Sequence, residues 1–271
     1  MEVFNTTSLL FGSLAHRQHF PGHSLTLVLK GTFDLHPGQA ATLADPLPFS
    51  GDVHDPDDPE AQSAPRYVAD LIPFKPKADL LLVGSCCCPN GAAQPSCDVR
   101  FAVGQTRQAL RVFADRIWQR RDKQVVIKAD PAGFSAMPLR YEKSFGGPKT
   151  ATNPLGLGDS PRQAGEALRY WLPNIEDPSH LMKQPADQPR TVGFAPLHEA
   201  WQLRRSKTGT YSPSWLKERW PALPVDFDYG FFNSAPPTMQ VSGYLHGDEA
   251  IVLDHLHPQH PLLESALPGF R

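Results

Sequence analysis

An excess of either charge is missing from this chain: 26 basic residues face 28 acidic ones, a formal net charge of −2 over 271 residues. Nucleic-acid binding leaves a basic footprint, so DNA and RNA are not expected as partners. A surface tuned to anionic lipid is not expected either. No stretch approaches the roughly 18 continuous apolar residues of a membrane span. The opening Met1-Glu2-Val3-Phe4-Asn5 lacks the basic region and apolar run of a secretory leader, so a cytoplasmic location is expected. Cysteine is scarce, with Cys86, Cys87 and Cys88 consecutive and Cys97 the fourth. Adjacent cysteines rarely meet the Cα separation of a relaxed disulfide, and cytosolic thiols stay reduced.

Catalytic signatures are missing as well. The sequence has no Gly-x-Ser-x-Gly elbow, no Ser-x-x-Lys with supporting motifs, no His-Glu-x-x-His and no phosphate loop. No catalytic residue and no cofactor is expected.

Proline and glycine are abundant, at 29 and 20 residues. Their spread along the chain rules out long helices and suits short strands joined by shaped loops. The expected fold is mainly β, either sandwich-like or an irregular multi-sheet domain with long loops and a few short helices. Strands are expected at about 23–35, 67–74, 78–88, 97–103 and 108–114, and again at 240–244 and 250–256. Asn90-Gly91 signals a hairpin between the third and fourth of these. Short helices are expected at 160–170 and 212–220, the latter because Ser212-Pro213 sets a cap residue before a proline at the first helical position. A single domain over 1–271 is expected, with regular strands to about 130 and an aromatic, loop-rich part from about 131.

Four groups of residues invite a functional reading. On a strand, Cys86 and Cys88 share a face, Cys87 points away, and Cys97 sits opposite across the hairpin. Small buried thiols are the expected reading, and no metal site is expected. His246, His255, His257 and His260 lie near Asp248, Glu249 and Asp254, yet their spacing fixes no ligand set. The acidic run around Asp52, Asp55, Asp57 and Asp58 lacks the central glycine and closing glutamate of a calcium loop.

The densest signal is Trp201 to Pro237, which holds three of the five tryptophans, two tyrosines and three phenylalanines. Large rings here either fill a core wrapped by irregular loops or form a recognition surface. Trp201, Arg204, Arg205, Tyr211, Trp215 and Arg219 are the candidate partner-binding residues. As core residues, Trp201, Tyr211 and Trp215 would hold the irregular half together.

Several blocks then carry a resemblance. They are Ala69-Asp70-Leu71-Ile72-Pro73-Phe74-Lys75-Pro76, Ala78-Asp79-Leu80-Leu81-Leu82-Val83-Gly84, Met137-Pro138-Leu139, Glu142-Lys143-Ser144-Phe145-Gly146-Gly147 and Asn153-Pro154-Leu155-Gly156. Further along come Leu172-Pro173-Asn174-Ile175-Glu176, Gly209-Thr210-Tyr211, Leu223-Pro224-Val225-Asp226-Phe227-Asp228 and Phe231-Phe232-Asn233-Ser234-Ala235-Pro236. In this order, across about residues 3 to 270, the chain resembles a bacterial family of type VI secretion adaptors and chaperones, long catalogued only as a domain of unknown function. The resemblance implies a non-enzymatic protein that binds a type VI effector or its PAAR-type spike tip and helps load it onto the VgrG spike. It supplies no catalytic residues. The rival expectations are a hydrolase with a cryptic site and a carbohydrate-binding β module.

Overall fold

The computed structural model describes residues 3–17, 22–58, 60–122, 124–165 and 167–269. Its principal elements are β1 (Leu10–His16), β2 (Ser24–Lys30), β3 (Ser85–Cys87), β4 (Ser96–Val103), β5 (Thr106–Phe113), β6 (Arg116–Arg121), β7 (Gln124–Ala129), β8 (Ala136–Pro138), β9 (Ile175–Glu176), α1 (Gln202–Arg205), α2 (Pro213–Glu218), β10 (Ala250–Asp254) and β11 (Leu262–Ala266). The fold is mainly β and irregular: the described residues form one five-stranded sheet and seven two-stranded ones. The large sheet runs β9-β5-β4-β10-β11, so it joins strands from the middle of the chain to strands near its C-terminal end.

Alternation builds that sheet. On β4, Cys97, Val99 and Phe101 turn into the core, while Asp98 and Arg100 face solvent. On β5, Leu110 and Val112 are wholly buried, and the register sets Val99 opposite Leu110 and Cys97 opposite Val112. Each such side chain contributes about 1.5–3 kcal/mol on burial. On the outer face Arg111 grips Asp98 with bonds of 2.7 and 2.6 Å. Loop residues Leu139, Phe194, Ala235, Met239 and Leu256 close the core from the other side.

The strands expected at 97–103, 108–114 and 250–256 are present as β4, β5 and β10. The helix at 212–220 is present as α2, with the Ser212 hydroxyl accepting from the Trp215 N–H at 3.1 Å. Other expectations need correction. Residues 67–74 are loop, with one bridge between Tyr67 and Val53, because Asp70 sends its N–H to the Ser50 carbonyl instead of to a ladder. Residues 23–35 break after Lys30 into β2 and a two-residue strand, Phe33–Asp34. Residues 78–88 split into Ala78–Asp79, paired with Gln240–Val241, and β3, paired with β8. The strand expected at 240–244 stops at Val241, because Gly243 and Tyr244 turn the chain with φ of 80° and 66°.

The Asn90-Gly91 turn forms with both residues at positive φ, yet its flanking strands pair elsewhere, β3 with β8 and β4 with β5 and β10. The helix expected at 160–170 is a β-hairpin, Arg162–Ala164 against Ala167–Arg169. Pro161 precedes it, and Gly165 supplies the φ of +62° that its turn requires.

Candidate functional site

The aromatic segment from Trp201 to Pro237 divides into a buried part and an exposed part. Trp201 is buried edge-on against Tyr141, with ring centroids 5.5 Å apart. Arg204, one turn along in α1, is also buried. Its Nη1 donates to the Leu197 carbonyl at 2.8 Å and its Nε to the Phe231 carbonyl at 2.9 Å. Burial pulls its pKa below the usual guanidinium range, against the opposing pull of Asp52, Glu199 and Asp79. Neither side chain is presented to a partner, so both leave the candidate set and belong to the core around Tyr141 and Leu197.

Arg205, Tyr211, Trp215 and Arg219 remain at least partly accessible. Tyr211 meets Trp215 edge-on at 4.7 Å. Trp215 is half-buried and donates its indole N–H to the Ala222 carbonyl at 2.8 Å, while Arg219 Nε donates to the Leu223 carbonyl at 3.1 Å. These two residues hold the 213–223 turn closed. The exposed apolar groups beside them are ones that composition did not single out. Leu216 and Trp220 lie four residues apart and are 62 % and 64 % exposed, and Val225 is more exposed still. Helical spacing from the inward Trp215 is the signal that finds Leu216 and Trp220.

A second apolar surface lies on the β1–β2 hairpin. Thr26 and Lys30 face the protein: the Thr26 hydroxyl donates to the Pro73 carbonyl, and Lys30 Nζ reaches Asp70 and the Pro48 carbonyl, each at 2.8 Å. The alternate residues Leu25, Leu27 and Leu29 face outward, at 44 %, 48 % and 55 % exposure. The register sets them opposite Ala15, Ser13 and Phe11. No third strand pairs with this hairpin among the described residues, which leaves both edges open. Sequence reasoning marked 23–35 as a strand and assigned it no function.

The titratable clusters fare differently. The Sγ atoms of Cys86, Cys88 and Cys97 all lie within 4.8 Å of one another, and all three residues are buried. Cys87 points away and is half-buried. This is the facing expected from strand alternation, reached by packing of β3 on β4 rather than across a hairpin. Burial pushes the three thiols up, Cys88 to about 11. The histidines do not join a comparable group: the cysteine trio is the only metal-capable cluster among the described residues. His257 and His260 stack on each other at 4.8 Å, and Asp55 pairs with Arg140.

The resemblance blocks have a structural explanation. Asp79 accepts from Lys75 Nζ at 2.9 Å and from Asn233 Nδ2 and Ser234 N at 2.8 Å, tying three blocks together. Asn153 donates to the Tyr141 and Phe145 carbonyls at 2.7 and 3.0 Å, and a Cβ on Gly156 would lie 2.4 Å from its amide nitrogen. Asn174 bonds the Phe113 carbonyl and Asp115. Glu176 pairs with Arg116 and accepts from the Met182 N–H at 2.6 Å. Burial raises the Glu176 carboxyl, and Arg116 opposes that shift. These are loop-locking bonds.

The chain is thus a mainly β protein in which residues of these blocks lock its loops. Residues 22–271 match the family described as "Uncharacterized protein conserved in bacteria (DUF2169)", and the chain belongs to that family. Comparison with curated proteins and with solved structures finds no match. Among the described residues no helix is long and apolar enough to cross a membrane.

Proposed function

We propose that this chain is a non-enzymatic adaptor or chaperone. In this reading it binds a type VI secretion effector, or the PAAR-type tip joined to it, and helps load that cargo onto the VgrG spike. The observation that carries the reading is the β1–β2 hairpin, with three outward leucines on an open two-stranded sheet. Exposed contiguous apolar surface marks interaction sites, and an open edge offers backbone pairing to an extended segment of a partner. Leu216, Trp220 and Val225 supply a second apolar surface. The named partners come from the resemblance of the sequence blocks.

The strongly perturbed groups favour binding over catalysis. Arg116 and Glu176 are committed to each other, Arg204 to carbonyls, and Tyr141 is buried against Trp201. An enzyme needs such groups converging in a cleft. The cleft lined by Lys77, Arg204, Lys207 and Asn233, about 550 Å³, has no carboxylate in its wall, and the carboxylates that line other clefts, such as Asp115 and Asp130, are not among the groups named above.

The test is co-expression of the protein encoded beside this chain, as the effector this reading expects, with and without the chain. Soluble effector yield should rise with the chain present, and the two should co-elute. With a net charge of −2, affinity rests on apolar burial, so co-elution should survive moderate salt. Equal yield without co-elution at any salt rejects the adaptor reading.

A further inference from the structure

The partner surfaces make no use of the cysteine cluster. Cys86 ends in the core from β3, which pairs with β8; Cys88 follows that strand; and Cys97 comes from β4 in the five-stranded sheet. Core packing alone needs no common centre for its thiols. Here three sulfurs from two segments face one another, while Cys87, between two of them, faces away.

A metal–sulfur bond of about 2.3 Å sets three sulfurs about 4 Å apart in a trigonal plane. The observed limit of 4.8 Å is within a small side-chain adjustment of that spacing. The donor set is sulfur alone, since no histidine or carboxylate atom joins it among the described residues. Structural zinc takes four donors, and the burial of all three cysteines restricts a water as the fourth. Soft thiolates with low coordination number suit monovalent copper.

We propose that Cys86, Cys88 and Cys97 form a three-sulfur binding site for a soft monovalent metal ion, Cu(I). The alternation that sequence reasoning assigned to small buried thiols is also the alternation that aims them at one centre. Cys88 Sγ lies 3.1 Å from the Phe134 carbonyl and gives up that contact when it ligates as thiolate. Each thiol that ligates in this form releases one proton to solvent, so binding strengthens as pH rises.

The experiment loads the reduced full-length chain with Cu(I) under anaerobic conditions, then challenges it with a chromophoric Cu(I) chelator. Retained copper per chain and thiolate-to-copper ultraviolet absorbance are measured. Wild type and Cys87→Ser should each retain one equivalent, whereas Cys88→Ser and Cys97→Ser should retain none while keeping the wild-type circular dichroism. If either of those two variants misfolds, the wild-type chain decides: it should melt at a higher temperature with Cu(I) than without. A wild type that surrenders all its copper overturns the proposal. So does retention that Cys88→Ser and Cys97→Ser leave intact, or that Cys87→Ser abolishes. Retention of zinc in place of Cu(I) also overturns it.

Discussion

The five-stranded sheet and the loops between Pro138 and Pro237 satisfy buried backbone groups in two different ways. In the sheet, β4 and β5 exchange backbone bonds residue by residue, and side chains only fill the core. In the loops a single side chain often serves several backbone groups. Asn153 holds two carbonyls and Arg204 holds two more, while Asp79, from a strand outside this segment, holds the Ser234 N–H together with the side chains of Lys75 and Asn233. A chain with 29 prolines forgoes many N–H donors and cannot run long ladders. Buried Asn, Asp, Glu and Arg take over, because an unsatisfied buried carbonyl or N–H costs comparable free energy wherever it sits. Risk is therefore spread along the sheet and concentrated at a few polar residues in the loops.

Three substitutions test that contrast by stability. Arg116→Ala should have the largest effect, because it leaves Glu176 buried beside no cation, and it sits where the sheet meets the loops. A loss of about 3–5 kcal/mol is expected from chemical denaturation. Leu110→Ala, a cavity at a wholly buried sheet position, should cost about 2–5 kcal/mol. Asp79→Ala should cost about 1–3 kcal/mol, through the buried donors of Asn233 and Ser234 left without an acceptor. If Asp79→Ala unfolds like wild type, the loops are held by apolar packing and the contrast fails.

The sheet was legible in the sequence and the loops were not, for one physical reason. Alternation at Cys97–Val103 and 108–114 reports a two-faced environment directly. In the loops the determinant is which distant carbonyl an Asn or Arg reaches, and local pattern carries no such information. The segment 160–170 forms a hairpin and not the expected helix, because Pro161 and Gly165 punctuate it as a turn. The hairpin of β6 and β7 escaped notice because Arg120, Arg121 and Lys128 hide its alternation. The aromatic segment was legible as a cluster of rings, but its sorting was not: Trp201 and Arg204 went to the core, while Trp220 and Leu216 went to solvent.

The smallest expected effect on stability decides the function. Leu27→Ser on β2 and Trp220→Ser beyond α2 each remove apolar surface that faces water, so each should shift stability by no more than about 0.5 kcal/mol. Their effects on cargo should differ. The hairpin offers leucines and open backbone edges together, whereas the Trp220 surface offers side chains alone. If the proposed adaptor function holds, Leu27→Ser should therefore reduce co-elution with the protein encoded next to this chain most, because it puts a hydroxyl in the middle of the apolar row between Leu25 and Leu29. Trp220→Ser should reduce it less. The measurement is effector yield and co-elution at matched expression, with melting temperature as the control. If Trp220→Ser abolishes co-elution while Leu27→Ser does not, the aromatic segment is the recognition surface. The hairpin leucines then have no part in holding the cargo. If neither variant alters co-elution, apolar burial at these two surfaces is not how this chain binds.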